Sequence, residues 1–137
     1  MNKEKETEEN EAEDIIIVTE PIKIEDGKHE GKIVNVVRNL PNTEEGRIYD
    51  YIDIGVDVLD VKKEPTLRIG FPTNISELSV LGRLLKKAGL DFTEGQKITT
   101  SDIKDNLIDR EITFLTKNEK TESGEFARIL RDTIEFK

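Results

Sequence analysis

Arg47–Asp60 reads RIYDYIDIGVDVLD. Ile48, Ile52, Ile54, Val56 and Val58 fall on one face at a period of two. Tyr49, Tyr51, Asp53, Gly55 and Asp57 fall on the other. Alternation over so long a run predicts a strand with one buried face and one wet face. Gly55 sits in its middle, where a bulge or a sharp bend of the kind a small barrel needs is expected.

Further strands flank this one. Gly31 to Leu40, GKIVNVVRNL, is rich in β-branched residues. At strict period two, Ile33 and Val37 share one face, and Lys32, Val34, Val36 and Arg38 share the other. Pro41 to Gly46 is full of turn formers. After Lys62-Lys63-Glu64, the residues Leu67, Ile69 and Phe71 alternate with Arg68 and Gly70 in a third strand that Pro72 stops.

The period then changes to that of a helix. Ser76 is the expected N-cap, with Glu77 in the first turn. Leu78, Leu81 and Leu85 form a stripe that Val80, Leu84 and Ala88 widen. Lys86 and Lys87 fall in the last turn and Gly89 follows as the stop, so a helix of about 13 residues is expected. Ser101 to Leu107 is expected to add one further helical turn. Glu111 to Thr116 makes a fourth strand, Lys117 to Gly124 a polar loop, and Phe126 to Phe136 a fifth strand.

Three meandering strands, a helix and a closing hairpin are the element order of a mainly β, five-stranded OB-like Greek-key barrel, with its helix between strands three and four. The rival architecture is an open antiparallel sheet with one helix packed on it.

Composition narrows the function. The chain has 137 residues, a net charge of −9, one His and neither Cys nor Trp. Disulfide scaffolds, thiol nucleophiles and thiolate metal sites are excluded. The longest apolar run is Ile15 to Val18, too short to cross a membrane. No signal-peptide pattern appears at the N-terminus, so the expected compartment is the cytoplasm.

The charge is unevenly spread. Residues 1–30 hold four cations against eleven acids, and residues 31–137 hold 17 against 19. The first 14 residues are nearly all polar and are expected to be disordered. The chain therefore divides into an acidic N-terminal arm, 1–20, and a barrel domain, 21–137. The arm is either a solubilising extension or an acidic element that mimics nucleic acid or docks on a basic partner. Within it, Ile15–Val18 reads as a short edge strand or a partner-docking segment, and Pro21 confines any strand there to an edge. The nearly neutral body would attract phosphate only weakly at long range.

No catalytic motif appears. Glycine-rich phosphate loops, GxSxG and HExxH are all missing. His29 has no recognisable catalytic partner and reads as structural. Asp53 and Asp57 stand about 13 Å apart along a strand, too far to share a cation. The reading is a non-enzyme with no cofactor and no metal.

The remaining signal is aromatic and basic. Tyr49 and Tyr51 stand two residues apart on the wet face, with Arg68 on strand three and Arg38 and Lys32 on strand one. Phe126 and Arg128 on strand five extend the same surface. Tyrosines that stack bases, beside cations that meet phosphates, are the parts of a groove for single-stranded DNA or RNA. The alternative reads them as ordinary strand residues and the domain as a protein-interaction or assembly module.

Phe71 to Ile98, FPTNISELSVLGRLLKKAGLDFTEGQKI, resembles a pattern in small phage and archaeal OB-fold proteins of the single-stranded-DNA-binding kind. In those, a strand ending in a Phe-Pro step leads into a helix with Leu-Gly-x-Leu-Leu. Asp26 to Ile33 and Phe126 to Ile129 fit the same outline, so the resemblance covers about residues 22–137. It implies the barrel fold and single-strand binding, and it assigns no binding residues.

Overall fold

The computed structural model describes residues 23–122 and 124–137. The arm expected over 1–20, with Ile15–Val18 and Pro21, lies outside the described residues. Strand β1 (Gly27–Asn39), β2 (Tyr51–Val58) and β3 (Thr66–Pro72) form an antiparallel meander. Ile52, Ile54, Val56 and Val58 of β2 are buried, as its alternation requires. The strand starts at Tyr51 rather than Arg47, and Ile48 is 66% exposed. The cause lies just upstream. Asn42 and Arg47 exchange backbone hydrogen bonds of 2.8 and 2.9 Å, and Asn42 Oδ1 accepts from the Glu44 amide. The loop closes on itself before β2 begins.

Strand β1 departs from period two. Its register with β2 shifts between Ile33 and Asn35, opposite Gly55. The extra residue, Val34, reverses the parity beyond it. Val36 is therefore buried with Ile33, while Val37 is 41% exposed. Lys32 and Arg38 do not share a face, contrary to expectation. The bulge lies on the strand facing Gly55 rather than at Gly55 itself. A Cβ on Gly55 would meet Asn35 Cβ at 3.4 Å, at the edge of ordinary contact.

Helix α1 (Val80–Lys87) starts a turn later than expected, because Ser79 caps it and Ser76 does not. Ser79 Oγ accepts from the Gly82 amide at 3.0 Å, and Ser76 and Ser79 each donate a backbone amide to the other's hydroxyl. That reciprocal turn excludes Leu78 from the buried stripe and leaves it 86% exposed. The turn expected over Ser101–Leu107 is a full second helix, α2 (Thr100–Leu107), opened by a capping box between Thr99 and Asp102.

Strand β4 (Glu111–Thr121) runs longer than expected and pairs with β5 (Gly124–Ile129), and a 3-10 turn (Arg131–Thr133) follows. The chain then resumes as β6 (Glu135–Phe136), which also pairs with β4. The fifth strand expected over Phe126–Phe136 is thus two short strands on β4, broken by the turn.

Among the described residues the sheet has six strands, in the order β3-β2-β1-β4-β5, with β6 on β4. It is not closed. Strands β3 and β5 approach each other across a seam, and no ladder joins them. The expected five strands, single helix and closed barrel are corrected to six strands, two helices and an open sheet. Leu81, Leu84 and Leu85 of α1 and Ile103 and Leu107 of α2 join Ile54, Phe71 and Phe114 of the sheet in one core. No described helix is long and apolar enough to cross a membrane.

The approach to β1 is tied to β4. Asp26 Oδ1 accepts from the Asn118 amide at 2.7 Å and from its Nδ2 at 2.8 Å. These bonds hold the Asp26 carboxyl below its ordinary value of 3.8. The stabilisation they bring is complete above the unfolded value and is lost as pH falls through the depressed folded one. Asp26→Asn is therefore expected to be less stable than the native chain at about pH 7. The gap should narrow by about pH 2.5, read as urea midpoints at both values.

Candidate nucleic-acid interface

Tyr51 opens β2 and stands between Asn39 on β1 and Pro72 on β3. Its ring lies along the backbone of Gly70: a Cβ there would come 3.5 Å from Tyr51 Cδ2. That is ordinary contact distance, so the ring stands beside Gly70 on the outer face of β3. Tyr49 is not on the strand. It belongs to the preceding loop and is 71% exposed. The two tyrosines nonetheless line one concavity of about 330 Å³, with Asp50, Gly70, Phe71, Pro72 and Arg131; the Asp50 carboxylate in it is paired with Arg38.

Arg131 is the residue that sequence reasoning missed. It sits in the 3-10 turn after β5, and its Nε donates to the Gly70 carbonyl at 2.9 Å. Its guanidinium lies 5.8 Å from the centre of the Phe71 ring. Among the described residues it has no carboxylate within ion-pair distance. The chain's other arginines resemble it in sequence, and only the turn carries it across the seam to β3.

The cations expected from sequence are less available. Arg38 forms a two-pronged pair with Asp50, at 3.1 Å from Nε and 2.7 Å from Nη2. The hydrogen bond raises the Arg38 guanidinium above its ordinary value and holds the Asp50 carboxyl below its own. Arg128 donates to Glu119 at 3.0 Å. Arg68 stands 3.8 Å from Asp53 and Lys32 stands 3.8 Å from Asp109, both at the limit of an ion pair. Exposed pairs of this kind are weak and exchange readily for other anions.

Tyr51, Arg68 and Lys32 share the outer face of β1–β3, since register places Tyr51 and Asp53 beside Asn39 and Val37, and Lys32 opposite Asp57. Between them, Val34, Val37, Thr66 and Arg68 surround a shallow hollow over Gly55. Arg38 is set apart by the bulge. Phe126 and Arg128 lie on β5, across the seam. Phe126 is 54% exposed and lines a separate groove with Ile24 and Leu67, at the opposite end of β3 from Tyr51. The seven candidates thus fall into three groups along and around β3, not into one patch.

His29 is buried and structural in its contacts. Its Nε2 donates to the Glu25 carbonyl at 2.6 Å, and its Nδ1 lies 3.1 Å from Asp60 Oδ2. The ring joins the approach to β1 to the end of the β2 hairpin arm. Among the described residues, no group of three or more His, Asp or Glu side chains is placed to hold a metal ion. No protein-family model and no curated protein matches this chain.

Proposed function

We propose that this protein is a non-enzymatic module that binds single-stranded nucleic acid along the outer face of β3, in the cytoplasm. The observation that carries the reading is the concavity formed by Tyr49, Tyr51 and the Arg131 guanidinium. A ring beside Gly70 offers a face on which a base stacks, and an arginine without an acidic partner among the described residues offers two remaining nitrogens to a phosphate. Arg68, further along β3, meets the next part of the backbone.

The strand order supports the same reading. A β3-β2-β1-β4-β5 order with β3 and β5 side by side is that of a five-stranded Greek-key barrel left open at one seam, the plan of the oligonucleotide-binding fold. Binding of this kind is carried by stacking. With Arg131 and Arg68 the principal cations, affinity falls by only about 0.7 in log K per log salt for each phosphate neutralised.

Fluorescence polarisation of a labelled single strand of about 20 nucleotides, as DNA and as RNA, tests this at low salt and at about 0.2 M. Binding with a shallow salt slope is expected, and duplex of the same sequence should bind less. No binding at low salt would overturn the reading. In that case a protein-interaction module is favoured by the pairing of Arg38 and Arg128 with Asp50 and Glu119, which leaves few cations for phosphate.

A further inference from the structure

Tyr51 and Asp53 stand two residues apart on the outer face of β2, about 7 Å along the strand. Register places Gly70 of β3 directly opposite Asp53, and the Tyr51 ring stands beside the same glycine. Gly55, the next outer-face residue of β2, has no side chain either. The Asp53 carboxylate thus lies between two glycines, and it borders the hollow of about 260 Å³ that Val34, Asn35, Val37 and Arg68 also line. A base stacked on Tyr51 has that bare backbone beside it, and an edge turned that way meets Asp53.

The carboxylate is open to a new donor. Of the three acids along this strand and its approach, Asp50 is taken by Arg38 and Asp57 by the Thr66 hydroxyl at 2.5 Å. The Asp53 carboxylate accepts no hydrogen bond among the described residues: Arg68 Nη1 stands 3.8 Å away, beyond hydrogen-bond reach. A negative group here turns phosphate away and leaves the spot to a base. Arg68 lies on β3 and Arg131 is bonded to it, so both cations keep the backbone on that side.

We infer that Asp53 makes the tyrosine site selective for guanine. The inference rests on the single-strand reading above. A carboxylate only accepts hydrogen bonds, and it does so through two oxygens side by side. Guanine alone among the common bases carries two adjacent donors on one edge, N1–H and the 2-amino group, and meets both oxygens at once. Cytosine and adenine each offer one amino group. Thymine and uracil offer one N3–H between two carbonyls, and a carbonyl then faces the second carboxylate oxygen. The expected order is guanine first, cytosine and adenine next, thymine and uracil last.

Fluorescence polarisation with three labelled DNA strands of about 20 nucleotides tests it. The first is thymidine throughout. The second carries isolated guanosines, and the third carries inosine at the same places, which lacks the 2-amino group. The guanine strand should bind the native chain at least about fivefold tighter than the thymine strand, with the inosine strand between them. Asp53→Asn should bring the guanine and thymine strands within about twofold of each other, because the amide keeps one acceptor and gains a donor. Its affinity for the thymine strand should not fall, which a lost fold would not allow. Equal affinity for guanine and thymine strands in the native chain would overturn the inference, as would a preference that survives Asp53→Asn. Guanine and inosine strands that bind alike would also overturn it, since the paired donors would then play no part. Binding by none of the strands would overturn the single-strand reading and this inference with it.

Discussion

Gly82→Ala is expected to destabilise the protein by about 3 kcal/mol, the upper end of what overpacking costs. The sign carries the information. In an ordinary helix interior the same change stabilises by about 1 kcal/mol, because glycine has more backbone entropy to lose. Here a Cβ on Gly82 overlaps the Ser76 carbonyl oxygen and comes 2.9 Å from its carbon. Ser76 cannot easily withdraw, because its amide and its hydroxyl are both bonded to Ser79, which also caps the helix. Relieving the clash therefore undoes the cap, whose loss alone costs about 1 kcal/mol. Thermal unfolding should show Tm lower by roughly 10 °C. Leu78→Ala, four residues away and exposed, should stay within about 0.5 kcal/mol of the native chain. A stabilised Gly82→Ala would mean that the Ser76 turn does not lie against the helix.

This contact shows where sequence reading stops. The helix was legible from the spacing of Leu81, Leu84 and Leu85, and its end from Lys86, Lys87 and Gly89. Its start was not: Ser76 is the cap expected from sequence, and Ser79 is the cap found. The choice depends on a carbonyl approach that no periodicity records. The same limit applies to β1. Period two holds up to Ile33, but the extra residue at Val34 exchanges the faces of Val36, Val37 and Arg38. The one trace of it in the sequence is Gly55 on the neighbouring strand. Strand β2 was legible because its four aliphatic residues, Ile52, Ile54, Val56 and Val58, are all buried in the core. Ile48 matched the pattern, but the closed Asn42–Arg47 loop holds it outside the strand.

The site was legible in its aromatic part and not in its charged part. Tyr51 stands on the outer face of β2, as alternation requires. Arg38 and Arg128 are cations on the expected strands, yet each already faces a carboxylate, and those pairings join residues far apart or across a hairpin. Arg131 was hidden because the expected fifth strand ran straight through it. The 3-10 turn that breaks that strand is what brings its guanidinium to Gly70.

Tyr51→Ala is expected to weaken single-strand binding by about 1–3 kcal/mol, or roughly 5- to 150-fold. Tyr51 should matter more than Tyr49 for an entropic reason. Its ring is already held against Gly70 and between neighbours on two strands, so binding a base orders little that was free. The exposed Tyr49 ring must be immobilised first, which offsets part of its stacking. Tyr51→Phe keeps the face and should bind nearly as the native chain does. Arg131→Ala should weaken binding and also flatten the salt dependence by about 0.7 in slope, because one phosphate contact is removed. Removing a stacking ring should leave the slope alone. The two variants therefore separate in a salt titration even if their affinities at one salt coincide. Unchanged affinity in Tyr51→Ala, with its fold intact by thermal unfolding, would remove the tyrosine concavity as the binding surface. Equal loss in Tyr51→Phe would assign the contact to the hydroxyl as a hydrogen-bonding group and not to the ring as a stacking platform.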